Sequence, residues 1–141
     1  MKKIMMRSIG KQASDGDQDQ MEFVTEGELA ERNGALYLIY EESEISGMPG
    51  CKTRLKIKDN YISMKRLGTK TIPAGTEMVF EPGKVFTGPY DTPYGSFEME
   101  VVTHNIKNTL TVEGTGSVYI DYKMSLKGLI ESHNTLSIEL L

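Results

Sequence analysis

The stretch CKTRLKIKDNYISMKRLG, residues 51–68, sets two alternating runs on either side of Asp59-Asn60. In the first, Cys51, Thr53, Leu55 and Ile57 interleave with Lys52, Arg54, Lys56 and Lys58. A period of two puts one set on each face of a β-strand and fits no helix. In the second run Ile62, Met64 and Arg66 share a face. With a turn signal between them, the segment reads as a β-hairpin that is apolar on one side and basic on the other. Arg66 breaks the pattern, because its parity puts a guanidinium on the apolar side, where a charge requires a partner.

The same alternation recurs along the chain, in Met21-Phe23-Thr25, Met78-Phe80, Phe97-Met99-Val101-Thr103, Val118-Ile120-Tyr122-Met124 and Leu136-Ile138-Leu140. No window of about twelve residues carries a helical stripe. EGELAERN, residues 26–33, comes nearest, but it contains Gly27 and runs into Asn33-Gly34, so it reads as a strand entering a type I′ turn. Gly50, Gly75, Pro82-Gly83, Gly114 to Gly116 and Gly128 mark further turns. About eight to ten short strands in succession predict an all-β fold, a single antiparallel up-and-down barrel, since closure removes unpaired edges. A two-sheet sandwich is the alternative. Residues 82–95, PGKVFTGPYDTPYG, with three prolines, read as a long loop that covers one barrel end or acts as a lid.

The 141 residues suit one domain, 1–141, and a chain of this size buries roughly two-thirds of its unfolded surface without disulfides or metals. Cys51 is the single cysteine and reads as a small buried hydrophobe. A net charge of −4 argues against nucleic acid or anionic lipid as a general partner. In the opening MKKIMMRSIG, Arg7 ends the apolar run after Ile4-Met5-Met6, short of the roughly 7–15 residues of a secretory signal. No run approaches the roughly 18 apolar residues of a membrane helix, so the expected location is the cytoplasm.

Tyr40-x-Glu42, Arg66-x-Gly68, Gly95 before an alternating strand, the Tyr122 strand and the closing HNTLSIE at 133–139 together resemble the YwiB-like family. These are small uncharacterised bacterial proteins grouped with the calycins. The resemblance runs nearly end to end. It implies a lipocalin-type β-barrel and allows a homodimer through outer strands, but it implies no activity.

The acidic cluster in LYLIYEESE, residues 36–44, has two registers. With Leu36, Leu38 and Tyr40 inward, Glu42 and Glu44 share their side; in the other, Glu41 points in. Periodicity does not separate them. The inward Arg66 needs a partner, and Glu42, at the position of the Y-x-E motif, is the natural choice, so Glu42 is expected inside and Glu41 outside. Arg66 and Glu42 then form either a structural ion pair near the barrel mouth or a site for a small polar or carboxylate-bearing ligand, with Tyr40 and Tyr122 on its wall.

Neither His104 nor His133 has a metal-site spacing, though His133 beside Asn134 could act as an acid or base if it faced Glu42. Asp15, Asp17, Asp19 and Glu26 mimic a calcium loop, but Gln20 stands where that loop needs glycine, so an acidic hairpin turn is the reading. Lys52, Arg54, Lys56, Lys58 and Lys65 form an outer basic face, with Arg54 opposite Lys65. No nucleophile elbow, phosphate loop or dinucleotide fingerprint occurs.

The leading expectation is a non-enzymatic protein that binds a small apolar or amphipathic ligand inside the barrel, through Tyr40, Glu42, Arg66, Tyr94, Tyr122 and His133, with no metal or cofactor. The alternatives are a protein- or nucleic-acid-interaction module using the basic face, and an enzyme pairing Glu42 with His133 or Tyr94.

Overall fold

The computed structural model describes residues 1–41, 52–67, 77–92, 95–126 and 130–141, with 91 and 92 by their backbone. Ten strands run through them: β1 (Lys2–Ser14), β2 (Asp17–Arg32), β3 (Ala35–Glu41), β4 (Lys52–Lys58), β5 (Tyr61–Leu67), β6 (Glu77–Phe80), β7 (Val85–Thr92), β8 (Gly95–Asn108), β9 (Ser117–Leu126) and β10 (Ile130–Leu140). The described residues contain no helix, and so none long and apolar enough to cross a membrane.

The hairpin of residues 52–67 forms as its alternation predicts. Thr53, Leu55 and Ile57 are buried while Lys52, Arg54, Lys56 and Lys58 are exposed. Across the turn Ile57 faces Ile62, Leu55 faces Met64 and Thr53 faces Arg66. Asn33 and Gly34 both have positive φ, 53° and 80°, which is the twist a two-residue hairpin turn requires.

All strand pairs are antiparallel, in the order β6-β5-β4-β3-β2-β1-β10-β9-β8-β7. Consecutive strands are neighbours except β6 and β7, and β1 pairs with β10 from Met6↔Leu140 to Ala13↔His133. The sheet is therefore an up-and-down meander whose seam lies between β6 and β7. Its interior crosses that seam: the rings of Phe80 on β6 and Tyr122 on β9 lie 4.8 Å apart. Gly83 N donates to Thr103 O at 3.1 Å on the same side. The result is a nearly closed barrel.

Two segments depart from the sequence reading. Residues 85–92 of the expected long loop are β7, paired with β8 from Val85↔Val102 to Thr92↔Gly95. Pro89 suggests a loop, but β7 ends the sheet, and a proline on an edge strand forfeits no ladder bond. Residues 2–14, read only for targeting, are β1, with Ile4, Met6 and Ser8 buried. Serine, glycine and lysine dilute its alternation, and the Asp15-Gly16 turn (φ 49° and 82°) returns it into β2.

Register stacks the inward side chains of β3 to β6 in layers. Leu36, Ile57, Ile62 and Phe80 align in one row, and Leu38, Leu55, Met64 and Met78 in the next. Tyr40, Thr53 and Arg66 form the third. Leu38, Leu55, Ile62 and Phe80 have no exposed surface. The interior thus grades from a packed apolar half, near the turns at Asn33-Gly34 and Asp59-Asn60, to a polar half near the strand ends Glu41, Lys52 and Leu67.

Candidate functional site

The polar half holds a cavity of about 420 Å³. That lies within the roughly 300–1,000 Å³ of small-molecule pockets. On one wall it is lined by Arg66, Thr53 and Tyr40; Tyr122 and Asn134 come from β9 and β10; Lys11 and Asp19 are exposed at its mouth. The strand period delivers these groups, because each lies an even step from a packed core residue: Tyr40 from Leu38, Thr53 from Leu55, Arg66 from Met64, Tyr122 from Ile120.

Arg66 is half-buried, and its Nε is out of solvent contact with no hydrogen-bond partner among the described residues. A guanidinium has five donors, no acceptor and a charge it does not lose. A buried donor without an acceptor is costly. Arg66 therefore lines the cavity with a lasting charge and carries one buried donor that no described residue satisfies.

The tyrosines supply neutral polar groups. Burial pushes the Tyr122 phenol up to about 12, with the nearby Tyr90 adding to the shift. At neutral pH its hydroxyl is protonated and can both donate and accept. Tyr40 is 4% exposed and tilts against Phe23 at 6.3 Å between ring centroids. Asn134 is buried, its Nδ2 donating to Ser132 Oγ at 3.0 Å and to Ser132 O at 3.3 Å.

Of the residues expected in the site, the structure brings together Tyr40, Arg66 and Tyr122. Tyr40 points in and Glu41 out, so the register chosen for β3 is the one observed. Glu42 and Tyr94 lie outside the described residues, and so does the Glu42–Arg66 pair. Cys51 lies outside them too.

His133 is not on the cavity wall. It is exposed on the outer face of β10, its Nε2 2.5 Å from Asp121 Oδ1 and its ring edge-on to that of His104, 5.9 Å between centroids. Parity gives the inward place to its neighbour: Ser132 and Asn134 are buried, and Asn134 faces Tyr122 across the ladder. An acid–base role across the cavity thereby loses its histidine.

Sequence reasoning missed Tyr90, which lines the cavity from β7. Its signal was present in the alternation Phe86-Gly88-Tyr90, hidden by Pro89. It also missed Gly10, Phe23 and Asn134 on the lining. Outside, Asp15-Gly16 is a hairpin turn, with Asp17 and Asp19 exposed along β2. Arg54 lies opposite Lys65, as expected, and Glu77 flanks Lys65 on its other side.

Residues 5–138 match the family model described as a domain of unknown function, DUF1934. Among solved structures, the ywiB protein from Bacillus subtilis superimposes with a TM-score of 0.79 at 22% identity, over 99% of this chain and 92% of that one. At that identity the likeness carries the fold, and it bears out the resemblance drawn from the motifs. No curated protein matches.

Proposed function

The chain belongs to the DUF1934 family, and we propose that it is a non-enzymatic binding protein that holds a small amphipathic molecule in the open half of its barrel. The observation that carries this reading is Arg66, with its Nε buried at a cavity and without a partner among the described residues. Hydrogen bonds to a charged group contribute about 1.5–3 kcal/mol, and a ligand acceptor in the cavity would meet the guanidinium where Arg66 lines the wall. Thr53 and Tyr40 share its row, Tyr122 and Asn134 add neutral polar groups elsewhere on the lining, and Phe23, Met64 and Met124 offer apolar contact. Barrels of about this strand number hold one small ligand.

Native mass spectrometry of the purified chain, with a thermal-shift screen of fatty acids, phenolics and nucleotides, tests the reading. A bound small molecule, or a stabilising class whose effect is lost in Arg66→Met, supports it. A screen with no stabilising class, in a protein that carries nothing, sinks it.

A second reading has its own observation. Lys52, Arg54, Lys56 and Lys58 are all exposed on the outer face of β4 and make no ion pair among the described residues. Such a stripe suits an acidic protein partner. A pull-down whose partners survive charge reversal of Lys52, Arg54 and Lys56 would remove that surface from consideration.

A further inference from the structure

We infer that the ligand is a monoanionic amphipath laid across the cavity, its anionic group on Arg66 and its apolar end in the space left by Gly10. The inference rests on the binding reading above and adds the charge of the ligand and its direction.

The charge follows from the lining. Its described residues include two cations, Arg66 and Lys11, and one carboxylate, Asp19. Among these described residues one positive charge is left over. Lys11 and Asp19 are exposed at the mouth, where water screens them, whereas Arg66 is half-buried beside Thr53 and Tyr40. A guanidinium fork in such surroundings matches a planar carboxylate by two parallel hydrogen bonds. A neutral head would leave the charge unmatched, and an ammonium would repel it.

The direction follows from Gly10. It lies on β1 between Ser8 and Gln12, facing Leu136 on one side and Met21 on the other, and all of these line the cavity. A Cβ built there would meet nothing within 4 Å, and its φ is not in the left-handed range. Gly27, also inward, differs: a Cβ there would come 3.0 Å from the backbone oxygen of Ile39. Close approach requires glycine at 27, and neither backbone nor contact requires it at 10. Glycine inside a strand weakens it, so what Gly10 provides is room. In the order of the sheet, β1 stands four strands from β5, which in a ten-stranded ring places Gly10 across the interior from Arg66. The ladder neighbours of Gly10, Met21 and Leu136, are apolar and line the cavity, whereas the ladder neighbour of Arg66 there is Thr53.

Calorimetric titration of the full chain with dodecanoate, dodecanol and dodecylamine tests the charge, and octanoate is added to test the direction. Dodecanoate is expected to bind about tenfold or more tighter than dodecanol, from one charge-assisted contact, and dodecylamine weakest. Arg66→Met should erase the difference between acid and alcohol. Gly10→Phe should weaken dodecanoate about tenfold and leave octanoate within a few-fold, with Gly10→Leu falling between. Equal binding of dodecanol and dodecanoate overturns the inferred charge and leaves the binding reading standing. Unchanged dodecanoate affinity in both Gly10 variants overturns the inferred direction. If both variants fail to fold, the backbone requires glycine there and the inference is again overturned. If none of the four probes binds, the inference is overturned, and the wider screen decides the binding reading.

Discussion

Replacing Arg66 by methionine separates a functional arginine from a structural one by the sign of the stability change. Methionine keeps an unbranched stem of similar length and removes the charge and all five donors. Leaving a buried donor unsatisfied costs about 1–3 kcal/mol, and Arg66 is only half-buried, so removal should raise stability by the lower part of that range, about 1–2 kcal/mol. In a chain of this length that is a rise in Tm of roughly 3–6 °C. Were the guanidinium held in a satisfied buried ion pair, the same change would strand its partner and cost about 3–5 kcal/mol. Urea unfolding of both proteins, free of ligand, measures the difference, and an unchanged slope shows that the two unfold alike. A loss of more than about 1 kcal/mol at constant slope would refute the reasoning, because Arg66 would then be a structural residue. Saturating dodecanoate should reverse the order: at about 100 times its Kd it would stabilise the wild type by about 2.7 kcal/mol and Arg66→Met far less.

Tyr122 gives a pH prediction. Its phenol ionises near pH 10 in the unfolded chain and at about 12 in the fold, so its contribution to stability is complete below pH 10 and lost as pH rises toward 12. Denaturant midpoints across that window should fall less steeply in Tyr122→Phe than in the wild type, and parallel profiles would show that the phenol is not buried as described. Leu55 is fully buried on β4 between Leu38 and Met64; Leu55→Ala should cost about 3–5 kcal/mol in urea unfolding, and a loss under about 1 kcal/mol would mean that the layer is loosely packed. His133→Ala removes an exposed contact to Asp121 and should change stability by less than about 1 kcal/mol while leaving ligand titrations unaltered; a large fall in affinity would place His133 in the site after all.

Much of the site was legible because a strand has only two faces. Once Leu38, Leu55, Met64 and Ile120 are assigned inward, Tyr40, Thr53, Arg66 and Tyr122 follow by counting twos. The same counting decides between His133 and Asn134, but only when begun from Ile138 and Leu140 on their own strand. Chemistry alone favours His133, but parity turns it to solvent and Asn134 inward. The β7 strand was obscured by prolines, since local propensity gives no account of a strand that needs ladder bonds on one side alone.

By itself the sequence determined the class of fold, the antiparallel meander and the inward set on most strands, because those depend on a local period and on turn residues that act within a few positions. Tertiary structure decided the rest. That β1 closes on β10, that the seam falls between β6 and β7, that one half of the interior packs while the other keeps a cavity, and that Gly10 stands across from Arg66 all depend on which strands become neighbours. Neighbourhood is set by pairing between segments far apart in the chain, and no local pattern encodes it.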